Sequence, residues 1–179
     1  METSEIRQKF DDALRSFYAD EELLIKYKVS ERALTHKLAE HLQKLFSNYN
    51  VDCEYNRVGN GDRKRLDLLM GNDPNCPGDC DQCTNNRCVI FPDIIVHHRG
   101  TDDNLLVIEA KTVWGKRSQE RDFTKLEKLT ASKEYHYQLG IAFHFAKTYA
   151  EALKNVIEYP IYPVPGHGRP CSPVPRGKK

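Results

Sequence analysis

Two segments, Val89–His98 (VIFPDIIVHH) and Asn104–Trp114 (NLLVIEAKTVW), are rich in β-branched residues and flank a turn at Arg99-Gly100-Thr101-Asp102-Asp103. Both are apolar at odd and even positions, the pattern of central strands covered on each side. Each also carries charge. Asp93 lies in the first segment, Glu109 and Lys111 in the second. Strand residues two apart share a face, so Glu109 and Lys111 point one way and Ala110 the other. A hairpin between the segments can set Asp93 beside Glu109. Ionised groups among Ile94, Ile95, Val96, Val107 and Ile108 are costly to bury unless they are paired or bound to a cation. Two adjacent carboxylates repel unless a hard, oxygen-seeking ion such as Mg²⁺ or Mn²⁺ joins them. Lys111 would then stand beside a metal-bound water. The competing reading is a structural salt bridge from Lys111 to Asp93 or Glu109.

Upstream, Ser30 caps a helix running to about Phe46 with the stripe Leu34, Leu38, Leu42 and Leu45. Glu31 falls within that stripe's angular range, while Glu40 lies on the polar face. A carboxylate in the first turn also suits the helix dipole, worth about 0.3–1 kcal/mol. Before it, Ile6, Phe10, Leu14 and Phe17 mark one short helix, and Asp20 would cap a second carrying Leu23, Leu24 and Tyr27; both would cover an edge of the core. Val51–Arg57 reads as a strand. Downstream, the spacing predicts a helix over Ser118–Ser132, a strand over Tyr137–Ala146 and a closing helix over Thr148–Tyr159. The chain divides into a helical extension (1–29), a core (30–159) with an insertion at 71–88, and a proline-rich basic tail (160–179). That tail holds six of the nine prolines and would run extended. The fold class is α/β, a mixed central sheet flanked by helices.

Within the insertion, Cys76, Cys80, Cys83 and Cys88 bring four thiols into thirteen residues that have almost no core of their own. Tetrahedral Zn²⁺ would fold such a loop, and an iron–sulfur cluster is the alternative. Cys53 reads as a core residue and Cys171 as a tail thiol. His97 shares Asp93's face by alternation. Arg57, Lys125, Lys128 and the Arg63-Lys64-Arg65 loop are candidates for phosphate contact.

The 179 residues suit one domain, and 27 Lys plus Arg against 26 Asp plus Glu leave a charge near +1, which excludes a polybasic, histone-like protein. No apolar run approaches the ~20 residues of a spanning helix, and the N-terminus lacks a signal-peptide core. The chain therefore reads as cytoplasmic, with no membrane partner.

The combination Pro92-Asp93, fifteen residues, Glu109-Ala110-Lys111 resembles the PD-(D/E)xK nuclease superfamily, the restriction-endonuclease-like fold. The helix opening Ser30-Glu31-Arg32-Ala33-Leu34 is similar to the first helix of its Holliday-junction-resolvase-type members. The resemblance implies that Asp93, Glu109 and the Ala110 carbonyl bind Mg²⁺ or Mn²⁺, that Lys111 assists the water, and that Glu31 is an accessory acid. It implies phosphodiester hydrolysis, with DNA and a second copy of the chain in a homodimer as the expected partners. A nucleic-acid-binding adaptor that keeps the fold without cleaving is the second reading, and a redox-sensing cluster protein a third. The N-terminal helices, the cysteine insertion and the tail lie outside the resemblance.

Overall fold

The computed structural model describes residues 1–59, 61–66, 83–84, 87–115, 120–160 and 174–175. Its elements in chain order are α1 (Thr3–Asp20), α2 (Glu22–Lys26), α3 (Glu31–Leu45), β1 (Asn50–Cys53), β2 (Arg65–Leu66), β3 (Cys83–Thr84), β4 (Arg87–Val89), β5 (Ile94–His97), β6 (Asn104–Thr112), α4 (Glu120–Ala131), β7 (Leu139–Phe145), α5 (Tyr149–Lys154), β8 (Ile157–Pro160) and β9 (Val174–Pro175). The main sheet is mixed, ordered β1-β5-β6-β7-β8-β9, the last strand being only two residues long. All its pairings are antiparallel except β6 with β7, which α4 joins by a crossover. A second small sheet is ordered β2-β4-β3.

Alternation in the central strands divides the core into two layers. Ile94, Val96, Ile108 and Phe143 pack with α1, α3 and α5, while Ile95, Val107 and Ala142 pack with Leu126 and Leu129 of α4. Helix α1 is one long helix rather than a short cover over an edge. Its Phe10 meets Phe143 with ring centroids 5.6 Å apart, and its Phe17 meets Phe145 at 5.3 Å. The Tyr18 hydroxyl fastens it to the end of β7, donating to the Ala146 carbonyl and accepting from the Ala146 N–H. Glu21, not Asp20, precedes α2.

Three further boundaries differ from expectation for physical reasons. The segment 89–98 is not one strand. Pro92 has no N–H to give a ladder, so β4 joins the small sheet, β5 begins at Ile94, and Asp93 stands just outside the strand. β1 stops at Cys53 because Glu54 turns into the left-handed region at φ 51. The closing helix ends at Lys154, where the Asn155 side-chain amide donates to the Glu151 carbonyl at 3.0 Å. The chain then returns as β8, antiparallel to β7. Of the tail, Val174–Pro175 pairs with β8, and its other residues lie outside the described set.

Candidate active site

The charged residues of the central strands converge where β6 leaves the core. Asp93 Oδ2 accepts the Ala110 N–H at 2.8 Å, which locks the carboxylate against β6. Glu109, from the middle of a strand covered on both faces, is 1% exposed. Lys111 Nζ lies 3.1 Å from Asp122 Oδ2, 3.5 Å from Glu31 Oε1 and 3.9 Å from Asp93 Oδ2. It also donates to the Ala110 carbonyl at 3.2 Å. Ser30 sets Glu31 here by capping α3, its side chain accepting from the Ala33 N–H. The structure therefore brings Glu31, Asp93, Glu109 and Lys111 into one cluster.

Two members were not assigned to it from sequence. Asp122 and Lys125 lie on the face of α4 turned to the sheet. Lys125 Nζ is 2.5 Å from Glu109 Oε2 and 3.3 Å from Asp122 Oδ1. Lys125, read above as a phosphate contact, has a side chain only 13% exposed and faces inward. The overlooked signal is spacing: Asp122, Lys125, Leu126 and Leu129 form an i, i+3, i+4, i+7 set, the face of a helix that packs inward.

Burial dominates the electrostatics. It pushes the Glu109 carboxyl well above the usual carboxylate range; Lys125 opposes this, while Asp93 and Asp122 add to it. Burial likewise raises Asp93 against the pull of the Ala110 N–H and Lys111. On Lys111, burial favours the neutral amine but Asp93, Asp122 and Glu31 outweigh it, so the net direction is up. Lys125 follows the same logic with Glu109 and Asp122. His144, opposite Lys111 in the β7 register, is lowered by burial and then by Lys111.

Four carboxyl groups face two ammonium groups, so the ionised cluster carries an excess of two negative charges. Glu109 Oε1 is buried with no hydrogen-bond partner. Asp122 Oδ2 also lacks a hydrogen bond, although Lys111 lies within ion-pair distance; the contact is electrostatic without hydrogen-bond alignment. Among the described residues, no three His, Cys, Asp or Glu side chains are grouped to hold a metal ion. The set expected from sequence is smaller: two carboxylates, Asp93 and Glu109, and the Ala110 carbonyl. An orphaned buried carboxylate oxygen within a doubly negative cluster fits a hard divalent ion.

The cluster opens into a cleft of about 1160 Å³ whose lining includes Lys28, Glu31, Arg32, Asp93, Lys111 and His144. Cys53, expected in the core, is exposed and lines the same cleft. His97 does not approach the cluster. It sits at the far end of β5, beyond a register shift, where Nε2 lies 2.9 Å from Asp52 Oδ2 and the ring packs on Tyr55. Arg57 donates to the Gly61 carbonyl at 3.2 Å within its own loop. Lys128 occupies the last turn of α4. Of the cysteine set, Cys76 and Cys80 lie outside the described residues; the backbones of Cys83 and Cys88 are directly paired between β3 and β4. No helix among the described residues is long and apolar enough to cross a membrane.

Comparison of the chain with protein-family models, with curated proteins and with solved structures found no match.

Proposed function

We propose that the chain is a metal-dependent nuclease of the restriction-endonuclease-like fold, hydrolysing phosphodiester bonds in DNA. The observation carrying this reading is the clustering of Asp93, Glu109 and Lys111, with Asp93 and Lys111 lining the cleft and a Glu109 oxygen buried behind them without a partner. The order α3-β1-β5-β6-α4-β7 supports it, because it repeats the α-β-β-β-α-β order that the resemblance implies.

Asp93, Glu109 and the Ala110 carbonyl would hold Mg²⁺ or Mn²⁺. Bound there, such an ion supplies an acidified water and neutralises charge on the non-bridging phosphate oxygens. The chain's own residues do the rest. The Ala110 N–H keeps Asp93 in a single orientation, so its carboxylate need not reorganise. Lys111, held as an ammonium by its acidic neighbours, orients the nucleophilic water by donating to its oxygen and offsets charge developing on the phosphate. It does not take the water's proton. Glu31 and Asp122 hold that ammonium from two sides. Lys125 compensates Glu109 within the protein interior.

The test is incubation with plasmid, nicked and branched DNA in Mg²⁺ or Mn²⁺. Cleavage should stop with excess chelator and fall about 10²–10³-fold in Lys111→Ala, the usual cost of one transition-state donor. Cleavage that persists in either case refutes the mechanism. Binding without cleavage of any substrate favours the adaptor reading.

We also infer that Cys76, Cys80, Cys83 and Cys88 hold Zn²⁺. The paired backbones of Cys83 and Cys88 support this, since directly opposed residues of an antiparallel ribbon are close neighbours. Elemental analysis should find one zinc per chain in a colourless preparation, lost in Cys83→Ser. A brown, iron-containing preparation would overturn zinc in favour of a cluster.

A further inference from the structure

Beyond β6 the chain makes a tight turn in which the Gly115 N–H donates to the Thr112 carbonyl at 2.9 Å. Its two central residues are Val113 and Trp114. Surface turns are ordinarily built from Gly, Pro, Asn, Asp and Ser; here Trp114 is partly buried, packing one side against the core, while the rest of its indole faces the cleft. Val113 is 47% exposed. The turn is firmly held, because the Val113 N–H donates to the Phe145 carbonyl at 3.0 Å, at the end of β7. Gly115 fits closely there: a Cβ would lie 3.0 Å from Thr112 Oγ1 and 3.2 Å from the Thr112 carbonyl oxygen. Both Val113 and Trp114 line the cleft that contains Asp93 and Lys111.

The rest of the lining sets three cations, Lys28, Arg32 and Lys111, against three carboxylates, Glu31, Glu54 and Asp93. Lys28, at φ 50 in the left-handed region, forms no ion pair among the described residues. Arg32 also lines the cleft, 2.9 Å from Glu54 at an exposed pair. The cleft thus combines Lys28, which has no ion pair among the described residues, with the Trp114 indole and the carboxylate–lysine cluster. At about 1160 Å³ it exceeds the roughly 300–1,000 Å³ usual for small ligands.

A duplex turns its base faces inward and stacks them on one another, which leaves no base face free to stack on the Trp114 indole. An unpaired strand exposes base faces, and stacking on an aromatic side chain is how proteins hold them without reading sequence. We propose that this cleft takes unpaired DNA strand in preference to duplex, one base stacking on the Trp114 indole beside the phosphate that lies over Asp93 and Lys111. The inference rests on the nuclease reading of the cluster but concerns selection of the substrate.

Trp114 is the only tryptophan in the chain, so its fluorescence reports the site directly. With chelator present to prevent cutting, the full chain is titrated with an oligothymidylate and with a blunt duplex of equal length. Anisotropy of fluorescein-labelled versions gives the affinities. The single strand should quench Trp114 and bind at least tenfold more tightly than the duplex. Trp114→Ala should weaken single-strand binding by roughly 5- to 150-fold, the factor equivalent to stacking one base, and Trp114→Phe should retain most of it. Equal affinity for duplex, or unchanged binding by Trp114→Ala, overturns the proposal. Selective single-strand binding without cleavage in Mg²⁺ would uphold it while removing the nuclease reading. Duplex cleavage indifferent to Trp114→Ala would do the reverse.

Discussion

Replacing Lys125 by methionine should be among the most damaging single substitutions in the protein, and a second change should undo most of the damage. Glu109 is 1% exposed, and its closest partner is Lys125 Nζ at 2.5 Å. Methionine keeps much of the lysine's length and apolar stem but removes the charge. Glu109 must then bury an unpaired carboxylate or take up a proton. Breaking a buried pair from one side costs about 3–5 kcal/mol, a large part of the ~5–15 kcal/mol that holds a domain together. With a urea m value of roughly 1–3 kcal/mol/M, the midpoint should fall by about 1–5 M. In the double variant Glu109→Gln/Lys125→Met no charge is stranded, and most of the loss should return. Urea denaturation followed by circular dichroism, at neutral pH with chelator, measures all three proteins. Repeating Lys125→Met in Mg²⁺ adds a second arm: an ion on Glu109 should restore part of the midpoint. A loss below about 1 kcal/mol, or a double variant no more stable than Lys125→Met, would refute the argument that Lys125 holds Glu109 as a buried pair.

Gly140→Ala should destabilise by roughly 1–3 kcal/mol, the cost of overpacking a close-fitted core. Its Cβ would lie 3.1 Å from Thr130 Cγ2 and 3.2 Å from Tyr159 Cβ, where α4 and β8 close on β7. Because the same helix carries Asp122 and Lys125, DNA cleavage should fall as well; an unaltered melting temperature would show that α4 does not rest on Gly140. Lys64 is 1% exposed, lies 5.0 Å from the Tyr55 ring centroid and donates to the Arg57 carbonyl. Burial pulls its ammonium down to about 8, with Asp52 opposing. An unfolded lysine titrates near 10.4. Between those values the unfolded chain binds more protons, so Lys64 makes stability rise with pH, by at most ~3 kcal/mol. Lys64→Met should flatten that rise, and parallel stability–pH curves for the two proteins would exclude it.

The central strands were legible because alternation is a strict rule. Once 104–112 is a strand, Glu109 and Lys111 share a face, and the neighbouring antiparallel segment brings Asp93 to them. Glu31's angle on α3 was compatible with a simple helix-dipole role, and it was the resemblance that assigned it to the site. What sequence hid was tertiary. A lone lysine on a charged helix looks like a solvated surface residue, so Lys125 was assigned to phosphate, although it shares the inward face with Leu126 and Leu129; its partner Glu109 lies sixteen residues away on β6. Val156–Tyr159 continued the helical pattern of α5, yet Ile157 and Tyr159 form a strand because the outer side of β7 offers a ladder. Pro92 gave a readable warning that 89–98 would break, one that the strong β-propensity around it obscured. His97 alternated onto Asp93's face, but sharing a face says nothing about which end of the sheet a residue occupies.

The two margins of the main sheet have a consequence for how the protein keeps to itself. A free strand margin is an open row of donors and acceptors on which another polypeptide can crystallise. On one flank, β1 offers only four residues before Glu54 swings the chain away, and Asp52 anchors a charged knot with His97 and Arg99 there. On the other flank, the outermost of the described residues are Val174 and Pro175, and a proline has no N–H to extend the ladder. Both flanks are thereby blunted, so copies of this chain that meet in a crowded solution find little purchase for growing a shared, fibre-like sheet.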